Sequence, residues 1–380
     1  MKREKEIELL KRCAGLLAEN SREMADEEGG SRPDIYLSQD RFEKEMKSFE
    51  RFPLMVAHSS QLPENGSYLA LDWLGGFPLL LTRDMDGEVH AFANACQHRG
   101  SPLAQNGCGQ ARRLMCPYHA WTYDMAGQLK SVPHKSGFPS LDPTKVKLSE
   151  LHASEFGGFI WVQKSGDTKL DVGEHLAGLG DDLKWINAAD HVLFAEESRI
   201  WNSNWKFIVE GGLESYHFKI AHRDTIAPLF NDTLSVFDEF GPHFRSVLTK
   251  TSLKQLQEID EENWQIRETA NVLYSFYPSA SLLLQPDHFA VIDAIPLSPS
   301  QTHISVRTFV PKGSMETEKS RAHWQANFDF TRDTLLEDFE LAVQIQKGLQ
   351  SGATKQFRFG RFENALTRFH QINEQMISKE

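Results

Sequence analysis

Cysteine is scarce in this chain, with four among 380 residues, at Cys13, Cys96, Cys108 and Cys116. So few thiols in a chain this long exclude a disulfide framework and suit a reducing compartment, so a cytoplasmic location is expected and metal ligation becomes the question to ask of them. Long apolar runs are missing too. No stretch approaches the ~18 consecutive apolar residues that span a bilayer, and membrane insertion is not expected. The opening MKREKEIELLKRCAGLLAE has the charges of a signal sequence but breaks every apolar run with Lys, Arg or Glu, so it reads as an amphipathic helix. Blocks of Lys and Arg are absent, and 41 basic against 53 acidic residues leave a net charge of −12. That balance argues against nucleic-acid binding, which needs a basic surface. The nearest string to G-x-G-x-x-G is GCGQAR at 107–112, which lacks the third glycine. No nicotinamide or flavin domain is therefore evident.

What is present is enough for two domains and a real core: 40% of residues are apolar and 25% charged. Residues 1–45 read as a charged helical segment that packs on the body. From Tyr68 the texture changes to short apolar strands, YLALDWL, FPLLLTRD and VHAFANAC, separated by Gly75-Gly76 and Asp86-Gly87. This predicts an antiparallel meander. The strand texture resumes at WTYDMAGQL, turns at Ala126-Gly127, and ends with FGGFIWV at 156–162; a linker is expected at 164–171. Helical segments are expected next, then strands over 236–312. A long helix is expected from about Lys319 to Ser351, stopped by Gly352. The fold class is α+β, with domains at 46–165 and 166–380.

Between the strand runs stand Cys96-x-His98 and, seventeen residues later, Cys116-x2-His119. Structural zinc sites of Cys2His2 type keep like ligands together, whereas here each pair mixes one thiolate with one imidazole. The mixture suits a [2Fe-2S] centre in which one iron takes Cys96 and Cys116 and the other takes His98 and His119. The pattern C-x-H-R-G…C-P-Y-H-x-W-x-Y resembles that of Rieske non-haem iron oxygenases, the family of ring-hydroxylating dioxygenases and carnitine- and choline-type monooxygenases. Ala120 stands where that family usually has Gly. Ser101 and Tyr118 stand where respiratory Rieske proteins carry a disulfide, which implies the low-potential oxygenase type of cluster. Trp121 and Tyr123 suit either core or cluster packing.

A second constellation lies in NWKFIVEGGLESYHFKIAH, where Glu214, His217 and His222 fall within nine residues. Glu214 and His217 are three apart and would share a helix face. His222 lies about 140° from His217 on an ideal helix, so one metal can take both only if the helix distorts or ends between them. A third ligand is expected downstream. In DTLLEDFELAVQIQKGLQS the helical wheel puts Thr331, Ala342, Ile345 and Leu349 within about 40° of Asp338. Asp338 thus sits in the inward stripe and needs a partner there, while Glu337 and Glu340 point aside as solvated charges.

The segment resembles the family's N-W-K…[DE]-x-Y-H-x4-H motif, and the region around Glu337-Asp338 resembles the source of its third iron ligand. The resemblance implies an all-β Rieske [2Fe-2S] domain followed by a helix-grip-like catalytic domain with an antiparallel sheet and long helices. It implies mononuclear Fe(II) on His217, His222 and Asp338, leaving positions open for O2. It gives Glu214 a separate role, bridging His217 to the Rieske His119 of a neighbouring subunit in a head-to-tail homotrimer. Aromatic-ring members usually have Asp at this place, and Glu resembles relatives acting on quaternary ammonium compounds; Gly211 also replaces the usual Asn. Electrons are expected from an NAD(P)H-dependent reductase, with or without a ferredoxin. O2 and a small organic substrate, aromatic or quaternary ammonium, would give a hydroxylated, dihydroxylated or dealkylated product. Arg99, Arg112 and Arg113 suit either donor docking or plain solvation. Phe276, Tyr274, Tyr277 and Phe289 suit either a cage for a cation or the core. The competing readings are a Rieske electron carrier and a zinc-scaffolded binding protein, neither of which needs the second constellation.

Overall fold

The computed structural model describes residues 1–166 and 170–378, so the middle of the expected linker, 167–169, lies outside the described residues. The chain divides into two compact units, one of Phe49–His175 and one of Met1–Ser48 with Leu176–Glu380. The amino-terminal segment thus folds with the second half of the chain. Its helices are α1 (Arg3–Ala18), α2 (Asp34–Leu37) and α3 (Gln39–Phe49). Leu9, Leu10 and Cys13 form the buried stripe of α1, as its charge-interrupted sequence predicts.

The Phe49–His175 unit holds β1 (Leu54–His58), β2 (Ser67–Trp73), β3 (Phe77–Arg83), β4 (Val89–Ala93), β5 (Gly107–Gln110), β6 (Arg113–Met115), β7 (Thr122–Asp124), β8 (Leu129–Ser131), β9 (Glu150–Phe156) and β10 (Phe159–Gln163), then the short α4 (Val172–His175). One seven-stranded antiparallel sheet runs β1-β10-β9-β4-β3-β2-β5, and β6-β7-β8 form a small second sheet. The predicted meander is β2-β3-β4, turned by Gly75 and Gly76 at φ 63° and 80°. Leu80, Phe92, Trp121, Tyr123 and Leu129 build one core together with Cys96 and Cys116.

The other unit continues with α5 (Leu179–Ile186), β11 (His191–Trp201), α6 (Trp205–Leu213), α7 (Phe218–Ala221), β12 (Phe230–Phe240), β13 (His243–Lys250), α8 (Ile266–Thr269), β14 (Ala270–Phe276), β15 (Ala280–Leu284), β16 (Phe289–Ser298), β17 (Gln301–Pro311), α9 (Glu318–Gln350) and α10 (Asn364–Ser378). Its antiparallel sheet runs β11-β17-β16-β15-β14-β13-β12, and α6 and α9 pack against it and each other. The long helix matches expectation, with Gly352 at φ 70° beyond its end.

One strand lay hidden in the sequence. HVLFAEESRIW forms β11 where only helices are expected, because Glu196, Glu197 and Arg199 are exposed on this edge strand and blur its alternation. Its pairing with β17, from His191–Pro311 to Trp201–Thr302, is long-range and leaves no local signature.

The N-W-K motif turns out to be architectural. Asn204 caps α6, its side chain accepting from the Lys206 amide at 3.0 Å. The Lys206 ammonium donates to Glu45 at 2.7 Å and the Trp205 indole to the same carboxylate at 3.1 Å, all three residues being fully buried. Burial lowers the Lys206 ammonium below its usual range, opposed by Glu45. This pair anchors α3 to the start of the helix that leads into the second constellation.

Candidate active site and cluster loops

Cys96 and His98 lie on the loop after β4, and Cys116 and His119 on the loop between β6 and β7. The two loops repeat one turn. In each, the residue four after the cysteine donates its amide back to the cysteine carbonyl, Gly100 to Cys96 at 2.8 Å and Ala120 to Cys116 at 2.9 Å. In each, that residue has positive φ, 76° for Gly100 and 55° for Ala120. The conformation explains why glycine is usual at the second place, and Ala120 is one of the few non-glycine residues held there.

Cys96 and Cys116 are both buried and form no disulfide. The His98 and His119 rings are 4.7 Å apart, and His98 stacks on Trp121 at 4.8 Å. Tyr123 accepts from the Gln97 amide at 3.0 Å and sets its hydroxyl 3.4 Å from Cys96 Sγ, so Trp121 and Tyr123 serve core and ligands together. Burial opposes ionisation of Cys116, but the Tyr118 and His119 amides and Ser101 hold its thiol below the ordinary value. His98 Nδ1 is buried without a protein partner among the described residues, as an iron ligand would be. These four side chains are not gathered round one point: the one group of three or more metal-type ligands within 4.8 Å, among the described residues, is His217, His222 and Asp338. Two thiolates and two imidazoles on paired loops fit a two-iron cluster better than a single zinc.

The second constellation answers the geometric demand set by its spacing. Helix α6 stops at Leu213, Glu214 is extended, and His217 and His222 flank the single turn of α7. Glu214 and His217 therefore do not share a helix face. Instead the Glu214 carboxylate caps the turn, accepting from the His217 amide at 3.2 Å, from the Tyr216 amide, and from His217 Nδ1. Asp338 projects from α9 with Oδ1 3.0 Å from His222 Nε2 and 3.5 Å from His217 Nε2. His217 Nε2 is buried and makes no hydrogen bond among the described residues. Burial depresses both imidazoles, but carboxylates outweigh it and raise them, chiefly Glu214 for His217 and Asp338 for His222. Two Nε2 atoms and one carboxylate facing one point are a donor set for a metal cation.

Two side chains on α9 depart from expectation. Glu337 is no solvated charge: it accepts from His222 Nδ1 at 2.6 Å and from the Thr225 hydroxyl at 2.8 Å. The long glutamate side chain reaches round the flank of the helix, where the wheel describes only directions. Glu337 thus does for His222 what Glu214 does for His217, fixing the tautomer that leaves Nε2 free for metal. Ile345, placed in the inward stripe, is 43% exposed, while Thr331, Ala342 and Leu349 are buried and Glu340 is exposed as expected.

A cavity of about 410 Å³ opens beside His222 and Asp338, walled largely by apolar side chains such as Phe218, Leu248, Leu273, Leu283 and Phe339. Gly211 lines it, and apart from its chain neighbours and its own helix backbone no atom among the described residues lies within 4 Å of where its Cβ would be. Tyr274, Phe276, Tyr277 and Phe289 are 0 to 4% exposed and none lines the cavity. They belong to the core.

Comparison with known proteins identifies both domains. The Rieske [2Fe-2S] domain family matches residues 52–142, and the ring hydroxylating alpha subunit catalytic domain matches residues 185–379. The chain belongs to the ring-hydroxylating alpha subunit family. It is an oxidoreductase, a terminal oxygenase alpha subunit, whose Rieske domain carries a [2Fe-2S] cluster and whose catalytic domain binds mononuclear iron. Such subunits act on quaternary ammonium or aromatic substrates with O2 and work with reductase partners. The glycine betaine monooxygenase oxygenase subunit of Chromohalobacter salexigens is 27% identical over 354 residues, covering 82% of this chain and 77% of that protein. The fold is similar to the quaternary ammonium Rieske monooxygenase CntA, with a TM-score of 0.80 at 22% identity over 97% of this chain and 98% of the other. It is also similar to naphthalene 1,2-dioxygenase from Rhodococcus sp., with a TM-score of 0.78 at 16% identity over 98% of each chain. Fold alone therefore does not separate the two substrate classes. No helix among the described residues is long and apolar enough to cross a membrane.

Proposed function

We propose that His217, His222 and Asp338 hold the catalytic iron, that Cys96, His98, Cys116 and His119 hold the cluster, and that Glu214 links the two centres between neighbouring subunits of a homotrimer. The observation that carries this reading is the convergence of His217, His222 and Asp338 within 4.8 Å beside an apolar cavity. Iron there supplies redox activation of O2, which zinc cannot.

The chain's own groups do the rest. Glu214 and Glu337 each take an imidazole Nδ1 proton in a hydrogen bond, so both rings present Nε2 in one orientation. Asp338 would contribute the one carboxylate of the donor set. The apolar walls exclude bulk water and keep the substrate beside the iron. Glu214, bonded to His217 on one side, would accept a hydrogen bond from His119 of the next subunit on the other. Electrons would arrive from a reductase, directly or through a ferredoxin.

Metal and sulfide analysis of anaerobically purified protein, with paramagnetic resonance of the reduced form, tests the assignment. The expected result is a rhombic Rieske signal with about three irons and about two sulfides per chain. Two irons without a third after Fe(II) reconstitution would favour an electron carrier. Zinc without sulfide would end the cluster assignment.

A further inference from the structure

The cavity has two chemically different ends. Facing it from the sheet are Leu248 and Lys250 of β13, Asn271 and Leu273 of β14, and Leu283 with Gln285 just past β15. The registers pair Leu248 with Asn271 and Leu273 with Leu283, so Lys250, Asn271 and Gln285 gather at one end of that face. The end is tied to α9 by the Gln285 amide, which donates to the Thr331 hydroxyl at 3.2 Å. Asp338 lies seven residues further along α9, two turns or about 10 Å from Thr331. Between the polar end and the iron ligands lies the apolar cluster of Phe218, Phe230, Leu248 and Leu273.

Apart from the iron-ligand residues His222 and Asp338, Lys250 is the one charged or titratable side chain lining the cavity, among the described residues. Its ammonium, with three N–H donors, makes one hydrogen bond, 3.3 Å to the Arg267 carbonyl, and has no carboxylate within 4.0 Å among the described residues. The neighbouring Arg267, whose Nε donates to the Gln285 carbonyl at 2.9 Å, has none either. The nearby acid, Asp287, is already engaged by His288 at 2.7 Å and His323 at 2.8 Å. Burial, then Arg267, lower the Lys250 ammonium to about 8, against an opposing pull from Asp287. Two half-buried cations without a counter-charge are costly unless an anion joins them.

We infer that the substrate is an apolar carboxylic acid whose carboxylate seats against Lys250, Asn271 and Gln285, with its apolar body reaching about 10 Å along the cavity toward Asp338. The inference rests on the oxygenase reading and narrows its substrate class. A lone quaternary ammonium group finds no counter-charge at the Lys250 end among the described residues. Tyr274, Phe276, Tyr277 and Phe289 do not line the cavity, and Phe218, Phe230, Phe330 and Phe339, which do, offer rings but no counter-charge; among the described residues its one carboxylate is Asp338, and Lys250 repels a cation.

Three probes of like size test it by calorimetric titration of the anaerobic holoenzyme: 4-phenylbutanoate, 4-phenylbutanamide and trimethyl(3-phenylpropyl)ammonium. The carboxylate is expected to bind about tenfold or more tighter than the amide, the worth of one charge-assisted hydrogen bond, with the ammonium weakest. Lys250→Met should erase the advantage and Lys250→Arg should retain most of it, while a wild-type thermal melt of the unit that holds Lys250 and retained mononuclear iron confirm that both variants fold. Equal affinity for carboxylate and amide, tightest binding of the ammonium, or no carboxylate binding at about 1 mM would overturn the inference. Should Lys250→Met not fold, the wild-type ranking alone decides. Probe-dependent O2 uptake is read in parallel: a carboxylate preference without any uptake would leave the anion site standing and count against the oxygenase assignment instead.

Discussion

Asp338 and Glu337 are adjacent in the chain and have separate duties, which substitution can resolve. Asp338 meets both imidazole Nε2 atoms, so Asp338→Ala should abolish turnover and lose the mononuclear iron while the Rieske absorption persists. Metal analysis beside an activity assay checks this, and persistent activity would mean that another carboxylate ligates. Among the described residues, the Glu337 carboxylate hydrogen-bonds only His222 Nδ1 and the Thr225 hydroxyl. Glu337→Gln should therefore keep the iron site but weaken iron retention about 10- to 100-fold, measured by competition with a chelator. Ala120 gives a third test. Its φ of 55° suits glycine, so Ala120→Gly should stabilise the protein by up to about 1 kcal/mol in denaturant melts, the removed steric cost exceeding the added chain entropy. The inward direction of Asp338 was legible from its neighbours on the wheel, of which Thr331, Ala342 and Leu349 are buried. The role of Glu337 was not, because its partner approaches from α7.

Helices and strands carry the site through their ends more than their middles. His217 and His222 come together because α6 has already stopped, and α7 is only the turn between them. The turn after β15 supplies another junction, where Asp287 joins His288 to His323 near the start of α9. The hydrogen bond from His288 is the main cause, opposed by burial and helped by His323, of an Asp287 carboxyl lowered from 3.8 to about 2. A depressed carboxyl stabilises the fold above its unfolded value and loses that contribution as pH falls through its folded value. Asp287→Asn should thus be less stable than wild type above about pH 4, with the gap closing toward pH 2 in thermal melts followed across that range. Strand β11 was illegible for a related reason: its exposed charges carry no period, and only its pairing with β17 makes it a strand.

The net charge of −12 contrasts with the exposed Arg99, Arg112 and Arg113 around the cluster loops. On an acidic molecule such a group can steer an acidic electron donor. Reversing Arg112 and Arg113 to Glu should raise the KM for the reductase or ferredoxin several-fold at low salt, with the difference shrinking as ionic strength rises. Reduction by dithionite should be unchanged. Unaltered donor dependence would assign these arginines to solvation alone.

Candidate ligands for both centres could be named from short motifs together with the family they resemble, because metal chemistry admits few donor sets. Strand meanders and the long helix were equally readable, since turn residues and helical periodicity act locally. Other features required the folded chain. Glu337 behind His222, Lys250 at the far end of the cavity and the removal of Tyr274, Phe276, Tyr277 and Phe289 to the core all depend on segments distant in sequence. Their positions follow from sheet register and helix packing, which no local pattern encodes.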